Sequence, residues 1–333
     1  MKPIIGTQVS AWQGIGCIVA SVFCLSMADA LVKYISDDVG IWQLYVIRAL
    51  LASPFVGLVL GRRGVLRLGW ALQRRWVLIR TGLLMAMWLA FYAALPTLTL
   101  SMAAVALYTS PLFIALFAAW LGGERLSAGG WWGIALGFAG VVLILRPGTM
   151  HFTPTVLLPL LAAVCYALAC VVTRVHCRDE APLVLSGALN LGFLCLGAAG
   201  CLWIFLYGQP PAGGATPSFL TAPWRSLPAD AWWLLAGLAV LFVLASSTVA
   251  KAYQVAPAAL IGVFDYAYLV FAAGWSWWLF DAMPDVPTML GMVCVGLAGG
   301  IVWRCAPGET LPGGVTASRA PISRSPTCGQ DLG

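Results

Sequence analysis

Residues Tyr92 to Gly148 read YAALPTLTLSMAAVALYTSPLFIALFAAWLGGERLSAGGWWGIALGFAGVVLILRPG. Two apolar runs are joined here by a short polar turn, with Ser and Tyr in the first run and glycine at helical spacing in the second. A looser copy returns from Tyr253 to Gly308 as YQVAPAALIGVFDYAYLVFAAGWSWWLFDAMPDVPTMLGMVCVGLAGGIVWRCAPG. Both copies run Tyr, small-residue helix, turn with an acid, Gly-rich helix, Arg, Pro-Gly. Repetition at this distance is a mark of internal duplication, so the chain divides into two halves.

Of the 333 residues 61% are hydrophobic and only 9% charged, too few charges to clothe a soluble globule of this length. The chain therefore reads as an all-α integral membrane protein. Its net charge of +6 is carried by particular loops, with no basic patch of interleaved aromatics, so it speaks for membrane topology and against nucleic acid. The 10 cysteines fall mostly inside apolar runs and lack CxxC or Cys/His spacing, which points to packing residues and to neither a disulfide framework nor a metal site. No cofactor motif is present.

A bilayer core about 30 Å thick asks for about 20 apolar residues per helix. That ruler cuts the chain into ten spans, at about 12–34, 41–60, 76–95, 100–121, 129–146, 154–176, 182–206, 231–252, 259–280 and 287–304. The first is too long for a signal-peptide core and reads as a retained helix. The Pro/Gly-rich stretch Tyr207–Asp230 reads as an extramembrane loop. With the N-terminus in the cytoplasm, 14 of the 18 Lys and Arg fall on the inside, Arg80 among them, and an even number of spans returns the C-terminus to the same side. Five spans per half is an odd number, so the halves are inverted: residues 12–148 form the first five-helix repeat, 154–308 the second, and 309–333 a disordered cytoplasmic tail.

Arg48 within QLYVIRALLASP, the run AVALYTSPLF followed by GGERLSAGGWWGIALGFAGVVLI, and AYQVAPAALIGVFDYAYLVFAAGW followed by LFDAMPDVPTMLGMVCVGLAGG together resemble the EamA-like family of the drug/metabolite transporter superfamily over about residues 12–304. The resemblance implies a ten-helix inverted repeat with cytoplasmic termini in the inner (plasma) membrane, exporting or taking up small metabolites through a central cavity. It implies a cavity lined by spans 1, 3, 4, 6, 8 and 9, with spans 5 and 10 at an edge where two protomers meet. The second copy departs from the pattern: Phe280-Asp281 stands where the first has Gly123-Glu124, and Asp265-Tyr266 stands where the first has Ser110-Pro111.

The candidate site follows from polar groups set in apolar helices. Asp265 lies inside span 9, where an ionised carboxylate costs roughly 2.5–3.5 kcal/mol unless it faces a cavity or a partner, and it is the candidate for proton coupling. Asp29 and Lys33 share a helical face in span 1, and Arg48 lies about eight residues into span 2, where it balances Asp29 or attracts an anion; an interfacial or structural ion pair is the plain alternative. Trp88, Tyr92, Tyr108, Ser110, Tyr166, Tyr253 and Tyr266 supply aromatic walls with polar tips suited to a ring-bearing or amphipathic metabolite, while Asn190 falls on span 7. Pro111 and Pro257 each hinge their helix or are simply tolerated. The glycines of span 5 (Gly133, Gly137, Gly140) and span 10 (Gly296, Gly299, Gly300) serve either packing within the chain or a homodimer through these spans. The doublets Trp131-Trp132 and Trp232-Trp233 fit two aromatic belts.

The reading is a secondary transporter of small organic metabolites working by alternating access, embedded in a lipid bilayer. An integral membrane enzyme would need a concentrated reactive set, and the two histidines, His151 and His176, fall at span ends on opposite sides; a scaffold or receptor would need a signalling domain.

Overall fold

A backbone in hydrocarbon has no water to bond, so it must satisfy its own N–H and C=O groups. The computed structural model describes residues 5–35, 39–94, 106–123, 127–145, 157–207, 222–280 and 286–305, and among these every regular element is a helix. In chain order they are α1 (Ile5–Ile35), α2 (Ile41–Ala71), α3 (Arg75–Ala94), α4 (Ser110–Gly122), α5 (Ala128–Leu145), α6 (Leu157–His176), α7 (Pro182–Tyr207), α8 (Ala229–Val255), α9 (Ala258–Phe264), α10 (Ala267–Phe280) and α11 (Val286–Cys305). Among the described residues six stretches are long and apolar enough to cross a membrane: Ala11–Val32, Ile41–Ala71, Leu157–His176, Pro182–Tyr207, Ala231–Val255 and Ala258–Trp275. Shorter apolar helices cover Ser110–Gly122, Ala128–Leu143 and Met289–Val302. Among the described residues the protein is all-helical, with several helices of the length and composition of a multi-pass membrane protein.

The helices pair α5 with α11, α1 with α8, α2 with α7 and α3 with α6, and α4 and α9 meet near the centre. One core gathers Ile18, Ile114, Tyr253, Ile261, Tyr266 and Ala298 from α1, α4, α8, α9, the turn after α9, and α11. Lipid tails are as apolar as these side chains, so close van der Waals packing and interhelical polar contacts hold the helices together more than exclusion of water does. Asn190 of α7 is such a contact: its Nδ2 donates to the Ala49 carbonyl (3.1 Å) and to Ser53 Oγ (3.2 Å), both on α2, so it fastens two helices and does not face the site. Outward, Leu58, Trp132, Phe205 and Trp233 are exposed. In water such a surface would drive association; in a bilayer it meets acyl chains and headgroups.

Three helices break where the sequence reading drew continuous spans or left the break unmarked. Inside α2, Gly61 takes φ 61°, ψ 179°, which separates the apolar run from the arginine-bearing stretch after it and matches the expected span end at residue 60. In place of a continuous helix over 100–121, Tyr108 and Thr109 form a turn, and α4 starts at Ser110 with Pro111 in its first turn, where a missing N–H is harmless. In place of a continuous span 9, Asp265 and Tyr266 form a turn between α9 and α10, closed by short-range bonds from Tyr266 N to Val263 O (3.3 Å) and from Tyr268 N to Asp265 O (3.1 Å). Pro257 does not kink this span; it caps the start of α9 after the extended Ala256.

Polar clasps lock the ends of the bundle. Gln43 of α2 donates from Nε2 to the Arg225 carbonyl (2.6 Å) and accepts from Arg225 N (3.0 Å), tying the described part of the loop before α8 to the start of α2. At the opposite end, an Arg74–Glu180 ion pair joins the α2–α3 turn to the α6–α7 turn, and Gln254 donates to the carbonyls of Cys177 and Glu180, each at 2.7 Å. Gly133, Gly137 and Gly140 turn inward: their Cα atoms lie against α11 and Tyr266, so this face is used within the chain. His151, Glu124, Arg125, Asp281 and the tail 309–333 lie outside the described residues, as do the side chains of Lys33 and Tyr92.

Candidate functional site

The two helix breaks bring tyrosines and carboxylates together. Asp265 sits at the end of α9, only 8% exposed, and Tyr166 from the middle of α6 donates its hydroxyl to Asp265 Oδ2 at 2.6 Å. The Tyr253 hydroxyl, from the last turn of α8, stands 3.5 Å from the same oxygen, at the edge of hydrogen-bonding range. Asp29, half-buried on α1, is held in the same way from another helix: Tyr268 of α10 donates to Asp29 Oδ2 at 2.6 Å. Bonds between a hydroxyl and a charged oxygen of this length are among the stronger ones available to a protein. The described bonds to both carboxylates fall on Oδ2 and leave Oδ1 for a proton or a cationic group.

Tyr108, in the turn before α4, connects the two carboxylate groups. Its ring centroid lies 5.7 Å from that of Tyr268 and 6.5 Å from that of Tyr266. Tyr266 is fully buried, and its hydroxyl has no hydrogen-bond partner among the described residues. Its ring lies against Gly137 of α5, where a Cβ would come within 2.6 Å of Tyr266 Cε2; only glycine fits here. Ser110 is buried two residues after Tyr108 without reaching either carboxylate by a described bond.

Two small cavities open at either end of this tyrosine belt. The first is lined by Asp29, Tyr45, Arg48, Trp88, Leu238 and Phe242. Here the Arg48 guanidinium lies 3.8 Å from the Phe242 ring centroid and 5.0 Å from that of Phe193, a cation set against aromatic faces in a region where a bare charge is expensive. The second cavity is lined by Arg80, Tyr166, Cys170, Thr173, Val249 and Tyr253. Helix α8 lines both, through Phe242 and then Val249, and seven residues of helix separate them by about 10 Å along its axis.

The sequence brings its candidates here unevenly. Asp29, Arg48 and Trp88 meet in one cavity, and Tyr166, Tyr253 and Asp265 meet beside the other, with Tyr108 and Tyr266 between. The expected Asp29–Lys33 pairing cannot be placed, since the Lys33 side chain is outside the described residues; Asp29 is held by Tyr268. Tyr268, Tyr45 and Arg80 are members the sequence did not nominate. Arg80 read as one more topology arginine, yet it is 2% exposed. Its place five residues beyond the start of an apolar helix was the available signal. Among the described residues no three His, Cys, Asp or Glu side chains come together.

Comparison with known proteins agrees with this architecture. The EamA-like transporter family matches residues 12–146. The pseudopaline exporter CntI of Pseudomonas aeruginosa (strain UCBPP-PA14) is 25% identical over 86% of this chain and 94% of its own length. An S-adenosylmethionine uptake transporter of Rickettsia prowazekii (strain Madrid E) is 25% identical over 85% of this chain and 90% of its own. A riboflavin transporter of Brucella anthropi is 29% identical over 54% of this chain and 58% of its own. A solved crystal structure at 20% identity superposes with a TM-score of 0.69, over 90% of this chain and 98% of that one, and shares the fold. The first part of this chain is thus similar to the EamA-like transporter family, and most of its length is similar to proteins named as membrane exporters and uptake transporters.

Proposed function

We propose that this protein is a secondary transporter of small organic metabolites in the inner (plasma) membrane, working by alternating access between two inverted five-helix repeats, residues 12–148 and 154–308, with both termini in the cytoplasm. The observation that carries the reading is the pair of carboxylates, Asp29 and Asp265, each bound by a tyrosine from another helix beside a helix break. Discontinuous helices near the middle of a bundle are where carriers bind solute and coupling ion. The pairing of helices supports the repeat: α1 with α8 mirrors α3 with α6, while α2 with α7 and α5 with α11 pair each element with its own counterpart. A break in the fourth span of each proposed half, at Tyr108-Thr109 and at Asp265-Tyr266, further supports the repeat.

In this mechanism Asp29, Arg48, Trp88 and Tyr108 contact solute from one side, and Tyr166, Tyr253, Asp265 and Tyr266 from the other; Tyr92, Ser110 and Lys33 complete the candidate set. Asp265 exchanges a proton at its open Oδ1 as the cavity changes sides, and the tyrosine belt closes whichever side is not in use. The solutes named for the relatives, pseudopaline, S-adenosylmethionine and riboflavin, support a substrate in the class of small organic metabolites. The outward faces of α5 and α11, where Gly296 and Gly300 are open, suit contact with a second copy.

Counterflow tests the reading. Purified protein in liposomes preloaded with one of a metabolite panel that includes S-adenosylmethionine and riboflavin is expected to exchange label without chemical turnover. The Asp265→Asn protein is expected to keep exchange and lose accumulation driven by a proton gradient. Full gradient-driven flux in that variant would remove proton coupling at Asp265, and absence of exchange for every metabolite would remove transport of this class.

A further inference from the structure

Arg80 is a full positive charge buried in the second cavity. It is 2% exposed. Its Nε donates to Thr173 Oγ1 at 2.8 Å and its Nη1 to the Leu185 carbonyl at a long 3.4 Å, and both acceptors are neutral. The Arg74–Glu180 pair lies outside this cavity, and among the described residues no carboxylate accepts from Arg80. A buried guanidinium without a counter-ion is costly in any protein and more so inside a membrane bundle, and such charges are kept where they meet a charged ligand. The planar, fork-shaped group is suited to binding a carboxylate through two parallel bonds. The second cavity is the size of a functional group, and across it from Arg80 stand Tyr166 and Tyr253, the same tyrosines that reach Asp265.

We propose that Arg80, positioned by Thr173, is an anion-binding subsite that takes the carboxylate of the transported solute at the end of the bundle formed by the α2–α3 and α6–α7 turns. The inference rests on the transporter reading and narrows its substrate class to solutes that carry a carboxylate or comparable small anionic group. A carboxylate at Arg80 neutralises the buried charge and meets the Tyr166 and Tyr253 side of the cavity. Arrival of the solute is thereby sensed next to Asp265, through the two tyrosines that hold it. Thr173 contributes by orientation: its hydroxyl accepts from Nε while donating to the Ala169 carbonyl at 2.7 Å, which fixes the plane of the guanidinium.

The test uses the full chain in lipid nanodiscs and two probes of one shape, acetate and acetamide, each at 100 mM with ionic strength held constant by gluconate, which is too bulky for the cavity. Acetate is expected to raise the melting temperature of the wild-type protein by about 2 °C over acetamide. Arg80→Gln is expected to abolish that difference, and Arg80→Lys, which keeps the charge and loses the bond to Thr173, to reduce it by half or more. An equal shift for acetate and acetamide in the wild-type protein overturns the proposal without any variant. An undiminished acetate shift in Arg80→Gln, or in Arg80→Lys should the Gln variant not fold, overturns it as well. Counterflow separates this from the broader reading: loss of exchange with the acetate shift intact counts against transport, and exchange with no acetate preference counts against the Arg80 subsite.

Discussion

Tyr166 donates its hydroxyl to Asp265 at 2.6 Å, joining the middle of α6 to the turn between α9 and α10. A hydrogen bond to a charged group is worth about 1.5–3 kcal/mol, or a factor of roughly ten to a hundred in whichever step depends on the ionised carboxylate. Tyr166→Phe is therefore expected to lower the initial rate of gradient-driven transport at least about tenfold, while changing the melting temperature by no more than a few degrees. A variant with wild-type flux would show that the bond is bystander packing.

The second carboxylate gives an independent check of the same principle. Tyr268 donates to Asp29 Oδ2 at 2.6 Å, across α10 and α1. If the two side chains act as one unit, Tyr268→Phe and Asp29→Asn are not additive, and a double-mutant cycle on exchange rate returns a coupling of about 1 kcal/mol or more. Additive effects would mean that each residue acts through other neighbours.

Gly137 and Gly296 make a matched pair for testing close packing. At Gly137 an added methyl meets the Tyr266 ring at 2.6 Å, and the ring is fully buried; at Gly296 nothing lies within 4 Å. Overfilling a packed site costs about 1–3 kcal/mol. Gly137→Ala is expected to lower both melting temperature and exchange rate by displacing Tyr266, and Gly296→Ala to leave both near wild type. Loss of self-association in Gly296→Ala with exchange intact would in turn locate a protomer contact on the outward face of α11.

What was legible of the fold came from apolar length, a long-range pattern: the described elements are helices, and the bend of α2 near residue 60 and the helix starts at Ile41 and Pro182 fell close to the expected span ends. The candidate site was legible in membership: a carboxylate such as Asp265 in an apolar run declares itself. Its connections were not. Tyr268 lies 239 residues from Asp29, and no local signal pairs them. The break at Asp265-Tyr266 carries no proline, so the periodicity reads straight through it. Arg80 was hidden for the opposite reason, since an arginine near a helix end is ordinarily a surface charge, and only packing by α6 and α7 buries it.

The last prediction concerns the bend in α2. Gly61 holds φ 61°, ψ 179°, a backbone region that is essentially closed to residues with a Cβ and costs about 1–3 kcal/mol when one is forced into it. Four residues earlier, Gly57 lies within the helix with nothing within 4 Å of a Cβ built on it and no positive φ. The two substitutions should therefore differ in sign. Gly57→Ala replaces a flexible residue in a helix and is expected to hold or slightly raise the melting temperature. Gly61→Ala must strain the bend or straighten it. Straightening would swing Arg62, Arg63 and Arg67 along the axis of the apolar run, into a region where each arginine is disfavoured by roughly 2.5–3.5 kcal/mol, so the strained bend is the cheaper outcome. A fall in melting temperature with the arginines still accessible to a membrane-impermeant guanidine reagent is the expected result. Equal behaviour of the two alanine variants would show that the bend is imposed by packing of Leu68 against α7 and not by the backbone of Gly61.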